Sequence, residues 1–133
     1  MRVLIVDDDP SVVDFFTQAA RAQGITEIDT ASSGEEALAR VIGATYDLIT
    51  LDIRMPGASG LEVLSPVRNM CPHAIIAIIS GHVPDDFTSE MAGCADLIMH
   101  KPINLAHFNR LLNGAKRIAH TLIEIQELNE VDA

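Results

Sequence analysis

The stretch YDLITLDIRMPG at residues 46–57 decides the fold, because an apolar run there leads straight into Asp52 and a turn rich in proline and glycine. Three further apolar runs end in a similar way: one leads into the acids of residues 7–9, one into Ser80 and one into Lys101. In a parallel sheet the carboxyl ends of the strands share one edge, where ligands bind. We therefore expect acids, a hydroxyl group and a single amine to meet at one site.

Strand-like and helix-like segments alternate along the whole chain. The predicted strands lie at residues 2–6, 27–31, 46–52, 74–80 and 96–100. The predicted helices begin near residues 10, 34, 60, 85 and 105. This alternation, with short connections, predicts an α/β fold: an open, doubly wound parallel sheet of five strands with helices on both faces. The last three strands are nearly all apolar, which is typical of strands buried on both faces.

Local signals refine the predicted helices. Asp9 and Asn104 are typical caps of the first and last helix, and Pro10 suits the first helical position. Pro66 should kink or shorten the third helix, predicted at residues 60–70, because proline lacks the backbone donor. The fourth helix, at residues 85–92, should be short and weak, since it has few apolar residues to bury.

Composition narrows the class of protein. The chain has 133 residues, of which 48% are hydrophobic and 21% charged, which is typical of one globular domain. A net charge of -10, with the lysines and arginines mostly scattered singly, argues against nucleic-acid binding by this segment. No apolar run is long enough to span a bilayer, and the N-terminus does not look like a signal peptide. These features predict a cytoplasmic protein without a membrane segment.

Asp7-Asp8, Asp52, Ser80 and Lys101-Pro102 occur in an order and spacing that resemble the receiver domains of bacterial two-component response regulators. The resemblance covers about residues 1–115. It implies a flavodoxin-like (βα)5 fold with strand order 2-1-3-4-5. It also implies a phosphorelay signalling switch, with a cis bond before Pro102.

The chemistry at Asp52 is that of a carboxylate nucleophile, which can attack a phosphoryl group and form an acyl phosphate. Such a transfer needs charge neutralisation, which Mg²⁺ supplies and for which Mn²⁺ is an alternative. The resemblance implies that Asp8, Asp52 and the backbone carbonyl of Arg54 bind the ion, and that Asp7 holds it through water. It implies that Lys101 pairs with Asp52 before the reaction and with a phosphoryl oxygen afterwards.

The resemblance assigns a switch role to Ser80, whose hydroxyl would turn toward the phosphoryl group. Arg54 and His82 would flank the path of attacking water. Receivers usually carry Tyr, Phe or His three residues before the lysine, whereas this chain has Ile98, which has few rotamers and no polar tip. We therefore expect the signal to travel mainly through backbone motion of the loop at residues 80–86.

The last predicted helix continues beyond the receiver-like part. After Asn104 its apolar residues alternate spacings of three and four: Phe108, Leu111, Ala115, Ile118, Leu122 and Ile125. The first half should pack on the sheet, and residues 116–133 should form a helical extension that docks on its own domain or serves as a dimer or connector helix. Asn113-Gly114 could end the helix, but the continuing pattern favours one helix.

Two classes of function fit these residues. In the first, a sensor histidine kinase or phosphotransfer protein donates a phosphoryl group to Asp52. The face formed by the fourth helix, fifth strand and fifth helix then changes partners. An output domain beyond residue 133 is one such partner, and the chain catalyses only its own phosphorylation and dephosphorylation.

The second class is a magnesium-dependent phosphohydrolase of the haloacid dehalogenase type, which carries DxDxT on its first strand. This chain has Asp7-Asp8-Asp9-Pro10 there and no substrate cap, so we rank that class lower. A degenerate receiver that never accepts phosphate is a third alternative. It is disfavoured because every reactive residue is present.

Overall fold

The computed structural model describes residues 1–55, 57, 59–82, 85 and 87–131, in which strands and helices alternate. The strands are β1 (Arg2–Val6), β2 (Glu27–Ala31), β3 (Leu48–Leu51), β4 (Ile75–Ser80) and β5 (Leu97–His100). The helices are α1 (Pro10–Ala22), α2 (Gly34–Gly43), α3 (Gly60–Met70), α4 (Ser89–Ala92) and α5 (Leu105–Gln126). All strand pairs are parallel and the sheet order is β2-β1-β3-β4-β5, which confirms the predicted fold and strand order.

Each face of the sheet carries its own apolar cluster. In β1, Leu4 and Val6 pack with residues of α2 and α3, whereas Val3 and Ile5 pack with residues of α1 and α5. Successive strand residues point to opposite faces, so an all-apolar strand supplies both clusters at once. The sheet is therefore the middle of three layers. Among the described residues, none of the helices combines the length and apolarity needed to cross a bilayer.

Side-chain caps fix where the helices begin. The predicted caps Asp9 and Asn104 accept hydrogen bonds from the backbone N–H groups of Ser11 and His107. Helix α3 has its predicted bounds and runs on to Met70, so Pro66 does not shorten it, and the alternative of a kink at Pro66 stays a prediction. Its buried face, formed by Val63, Leu64 and Val67, packs against the sheet and outweighs one missing hydrogen bond.

The β4–β5 side of the sheet differs from the prediction in two ways. Helix α4 begins at Ser89 rather than at Asp85, because Thr88 caps it by accepting from the N–H of Met91. It buries none of its residues. Strand β5 alternates between half-buried and exposed residues instead of being buried throughout, since it is an edge strand and α4 is too short to cover it. Apolar composition alone does not distinguish an edge strand from a central one.

Helix α5 is continuous through Asn113-Gly114, as the apolar pattern predicts. Its first half packs on the sheet through Phe108, Leu112 and Ala115, and the Phe108 ring stacks on Phe16 with centroids 4.4 Å apart. Lys116 then donates from Nζ to the carbonyl oxygen of Gln23 at 2.9 Å, which ties the helix to the end of α1. Beyond this bond α5 buries no residue.

Candidate functional site

Two neighbouring strands bring the predicted acids together. Asp7 follows β1 and Asp52 follows β3, where Val6 and Leu51 are paired in register. The N–H of Asp52 donates to the carbonyl oxygen of Val6 at 2.9 Å, which holds the two strand ends side by side. Carboxylate oxygens of Asp7, Asp8 and Asp52 all lie within 4.8 Å of one another. Asp7 and Asp52 are buried, whereas Asp8 is exposed.

The two buried carboxylates are held in the same manner. Oδ1 of Asp7 accepts from the N–H of Asp9 at 2.9 Å, and Oδ1 of Asp52 accepts from the N–H of Arg54 at 3.0 Å. Their Oδ2 atoms face Lys101 Nζ, at 2.7 Å from Asp7 and 3.3 Å from Asp52. Each carboxylate is therefore fixed by one backbone donor and one shared ammonium group.

Lys101 reaches this cluster from β5, at the other side of the sheet. Its N–H donates to the carbonyl oxygen of Ser80 at 2.9 Å, and the Lys101-Pro102 bond is cis, as expected. Lys101 contacts Asp52, the expected partner, and makes a shorter contact with Asp7. Nothing in the order of residues indicates which of two adjacent carboxylates an amine will approach more closely.

Burial and charge shift the proton affinities of these groups. Burial is the main reason that the pKa of Asp52 is raised, and the charge of Asp7 raises it further, against the opposing hydrogen bond from Arg54 and the charge of Lys101. Burial alone would lower the pKa of Lys101, but its hydrogen bond to Asp7 and the charges of Asp52 and Asp7 raise it overall. The cluster contains three carboxylates but one ammonium group, which contacts two of them, so the ionised carboxylates leave a negative excess that a cation would neutralise.

Ser80 ends β4 and is buried. Its Oγ donates to the carbonyl oxygen of His82 at 3.0 Å, so the hydroxyl is bound within its own loop. Among the described residues, none other than its two chain neighbours would come within 4 Å of a Cβ added to the adjacent Gly81. Arg54 and His82, predicted to flank the site, are both exposed. Ile98 lies in β5 opposite Ile78 and is 37% exposed.

Gly60 also belongs to the site, although no motif in the sequence points to it. It begins α3, and a Cβ at this position would overlap the carbonyl oxygen of Asp52 and lie 2.7 Å from the Cα of Ile53. Only glycine therefore allows α3 to start against the backbone of Asp52. The sequence signal for this close approach is a glycine directly after Ser59. Ser59 caps α3, because its Oγ accepts from the N–H of Glu62.

Comparison with known proteins agrees with the family that the sequence resembles. Residues 3–113 match the family model described as the response regulator receiver domain. The transcriptional regulatory protein TcrA of Mycobacterium tuberculosis is 33% identical over 119 residues, covering 88% of this chain and 46% of that protein. The chain spans about half the length of the curated relatives it matches.

Solved structures agree with the fold. The response regulator TrrA of Thermotoga maritima, solved in complex with Mg²⁺-BeF, is 36% identical with a TM-score of 0.72, and the match covers 88% of this chain and 97% of TrrA. The chemotaxis protein CheY4 of Vibrio cholerae is 28% identical with a TM-score of 0.72, over 88% and 97% of the two chains. From the family match and the shared fold, the chain belongs to the response regulator receiver domains of two-component signalling.

Proposed function

We propose that Asp52 accepts a phosphoryl group and that residues 1–115 act as the receiver of a phosphorelay. One observation carries this proposal. Asp52 is a buried carboxylate at a strand end, within 4.8 Å of the carboxylates of Asp7 and Asp8 and 3.3 Å from Lys101 Nζ. A turn or capping aspartate requires none of these neighbours, whereas phosphoryl transfer requires both a nucleophile and compensating positive charge.

The reaction follows from these groups. A carboxylate oxygen of Asp52 forms a bond to phosphorus, the bond between phosphorus and the donor's imidazole nitrogen breaks, and the electron pair goes to that nitrogen. Lys101 faces Oδ2 of Asp52 and then pairs with a phosphoryl oxygen, so its positive charge is present throughout. In this proposal the chain catalyses only its own phosphorylation and dephosphorylation and turns over no metabolic substrate.

The acidic cluster fits a hard divalent cation, because Mg²⁺ prefers one or two carboxylates and retains several waters. The ion would be bound by Asp8, Asp52 and the carbonyl of Arg54, and Asp7 would hold it through a water molecule. Mn²⁺ suits the same oxygen ligands. When bound, the ion supplies neutralisation of the phosphoryl oxygens. The structure of TrrA with Mg²⁺-BeF supports this choice of ion.

In this proposal Ser80 and Ile98 belong to the switch. The Ser80 hydroxyl must leave the carbonyl oxygen of His82 to reach a phosphoryl group, which changes the start of the loop that follows β4. Ile98 offers no polar tip, so backbone motion between β4 and α4 carries the response. Hydrogen exchange of residues 87–92 should therefore change when a phosphoryl mimic is added with Mg²⁺. Unchanged exchange there would contradict this route.

The partners in this proposal are a sensor histidine kinase or a phosphotransfer protein as donor, and an output domain or separate protein as recipient. The helical extension expected at residues 116–133 is helical as far as Gln126. In this proposal it serves either as a connector or as a dimer helix. The acidic net charge of -10 opposes direct contact of this segment with nucleic acid, and we propose a cytoplasmic location.

Incubation with acetyl phosphate or phosphoramidate and Mg²⁺, followed by intact mass measurement, tests the proposal. Wild-type protein should gain one phosphoryl group, and Asp52→Asn should gain none. Asp85→Asn is a matched control, since Asp85 is an exposed aspartate in a turn and should be modified like wild type. A chain that releases phosphate continuously without an adduct would instead be a phosphohydrolase. A chain that does neither would be a degenerate receiver.

A further inference from the structure

Charge is segregated along α5 and the residues after it. Residues 105–123 contain Arg110, Lys116 and Arg117 and no acid, whereas residues 124–131 contain three glutamates and no lysine or arginine. A helix dipole favours the opposite order, with acids near the start and bases near the end. Helix α5 has no acid in its first turn and no base in its last turn. The charge order therefore does not stabilise α5 as an isolated helix.

The projecting part of α5 also carries an uncovered apolar stripe. Ile118 and Ile125 are 51% and 59% exposed, and Leu122 between them is half-buried. Spacings of four and three place these residues on one face of the helix. Because no core lies beyond the Lys116 bond to Gln23, nothing within the described part of the chain covers this face.

A groove of about 760 Å³ between β5 and α5 continues that stripe. Its lining combines apolar Leu97, Met99 and Leu111 with the guanidinium groups of Arg110 and Arg117. Neither arginine forms an ion pair with a carboxylate among the described residues. An occupant that is both apolar and acidic would complement this groove, and residues 124–131 have that composition.

We infer that the last helix pairs antiparallel with the same helix of a second copy of this chain, so that each groove receives the acidic, apolar end of the other copy. The inference rests on the proposed role of residues 116–133 as a dimer helix. Centred near residue 121, such a pair sets the helix end at residues 125–126 of one copy beside residues 117–116 of the other, and the acidic residues after the helix then continue toward the groove. Arg117 then faces Glu124 of the second copy, whereas parallel pairing would bring like charges together.

Sedimentation over a concentration series tests the association. Wild-type protein should form dimers, and Ile118→Asp should weaken the dimer by about a hundredfold, since two isoleucines leave the interface. Ile42→Asp is a matched control: Ile42 is 71% exposed in α2, away from this face, and its substitution should leave the dimer unchanged. Wild-type protein that stays monomeric at every concentration, or a dimer that Ile118→Asp does not weaken, would overturn the inference.

Charge exchange tests the complementarity. Arg117→Glu and Glu124→Arg should each weaken the dimer about tenfold, and the double variant, which has the same net charge as wild type, should restore it. Both residues are solvent-exposed, so the fold should be retained. A double variant as weak as either single one would overturn the pairing of these residues.

Cross-linking tests the orientation in a Cys94→Ser background, which removes the half-buried thiol. Ile118→Cys mixed with Ile125→Cys should form the mixed disulfide, and Ile118→Cys alone should not link to itself. Self-linking of Ile118→Cys would show parallel helices and overturn the antiparallel assignment. These measurements use no phosphoryl donor, so their failure leaves the proposal for Asp52 untouched.

Discussion

The β1–β3 side of the sheet and the β4–β5 side have contrasting structures. On the first side the strands are almost entirely buried, and the carboxylates of Asp7 and Asp52 each have two fixed donors. On the second side α4 has four residues and buries none of them, and β5 is partly exposed. Sparse packing of this kind is typical of segments with low local stability. The acidic cluster therefore lies on the densely packed side, which we call the rigid side, and under the proposed function we expect the response on the loosely packed side.

Lys101 links the two sides. It follows β5 but bonds to Asp7 and Asp52, so the position of the edge strand and the charge of the acidic cluster depend on each other. A phosphoryl group on Asp52 would redistribute these bonds. The contrast thus suggests how a covalent change on a rigid strand reaches a poorly covered edge.

The largest effect on stability is expected on the rigid side, from substitution of Gly60. Gly60→Ala should lower the free energy of unfolding by about 3 kcal/mol, because its Cβ overlaps the backbone at Asp52 and Ile53. Gly114→Ala is the matched control: the position lies inside α5 with nothing within 4 Å of the added Cβ. It should gain about 0.5–1 kcal/mol. Urea unfolding measures both, and equal effects would contradict the close approach of α3.

The acidic cluster should respond to divalent cations. Saturating Mg²⁺ should raise the melting temperature, with about 2.7 kcal/mol of stabilisation at a hundred times the dissociation constant. Asp8→Asn should reduce the shift, because Asp8 is the exposed acid of the cluster. Thermal melts of wild type that overlay in millimolar Mg²⁺ and in chelator would show that the cluster does not bind the ion.

Arg68 provides a test of the loosely packed side, where it joins α3 to the start of β5. It donates to the carbonyl oxygens of Cys94 and Ala74, each at 2.8 Å, and to Asp96 Oδ2 at 2.7 Å. Arg68→Ala should cost about 2 kcal/mol of unfolding free energy, since these acceptors lose their donor. Arg40→Ala removes a single bond, to Thr30, and should cost less than about 0.5 kcal/mol. Similar losses for the two variants would contradict this role.

The smallest effect concerns Tyr46, the single tyrosine, on the rigid side. Burial and the hydrogen bond to Asp29, at 2.6 Å, raise the pKa of Tyr46 to about 12. The neutral phenol is therefore favoured in the folded chain. The neutral phenol contributes to the free energy of unfolding in full below pH 10. This contribution is lost as the pH rises toward 12, and about 1.4 kcal/mol of it is gone at pH 11.

Tyrosinate absorbance reports Tyr46 alone, since it is the single tyrosine and the chain has no overlapping tryptophan absorbance. Its midpoint should lie near pH 12 in the folded protein and near pH 10 in urea. Equal midpoints in the two conditions would show that Tyr46 is not held in this way. Tyr46→Phe provides the blank.

The two sides of the sheet are not equally predictable from the sequence, for physical reasons. The bounds of β1 follow from an apolar run, and the starts of α1 and α5 follow from their capping residues, which are local signals. Helix α4 is short and buries no residue, and β5 is partly exposed; both features depend on tertiary packing. The apolar residues at 97–100 do not reveal that packing. At the site, strand-end positions bring Asp7, Asp52 and Lys101 together, but the preference of Lys101 for Asp7 and the need for glycine at position 60 arise from contacts across elements.

The most direct test of the central claim is to locate the modified residue after treatment with acetyl phosphate and Mg²⁺. Borohydride reduces an aspartyl phosphate to homoserine, and fragment masses then identify its position. We predict homoserine at position 52 alone, and none in protein that received no phosphoryl donor. Homoserine at position 7, 8 or 9, or phosphate retained on a histidine, would contradict the account.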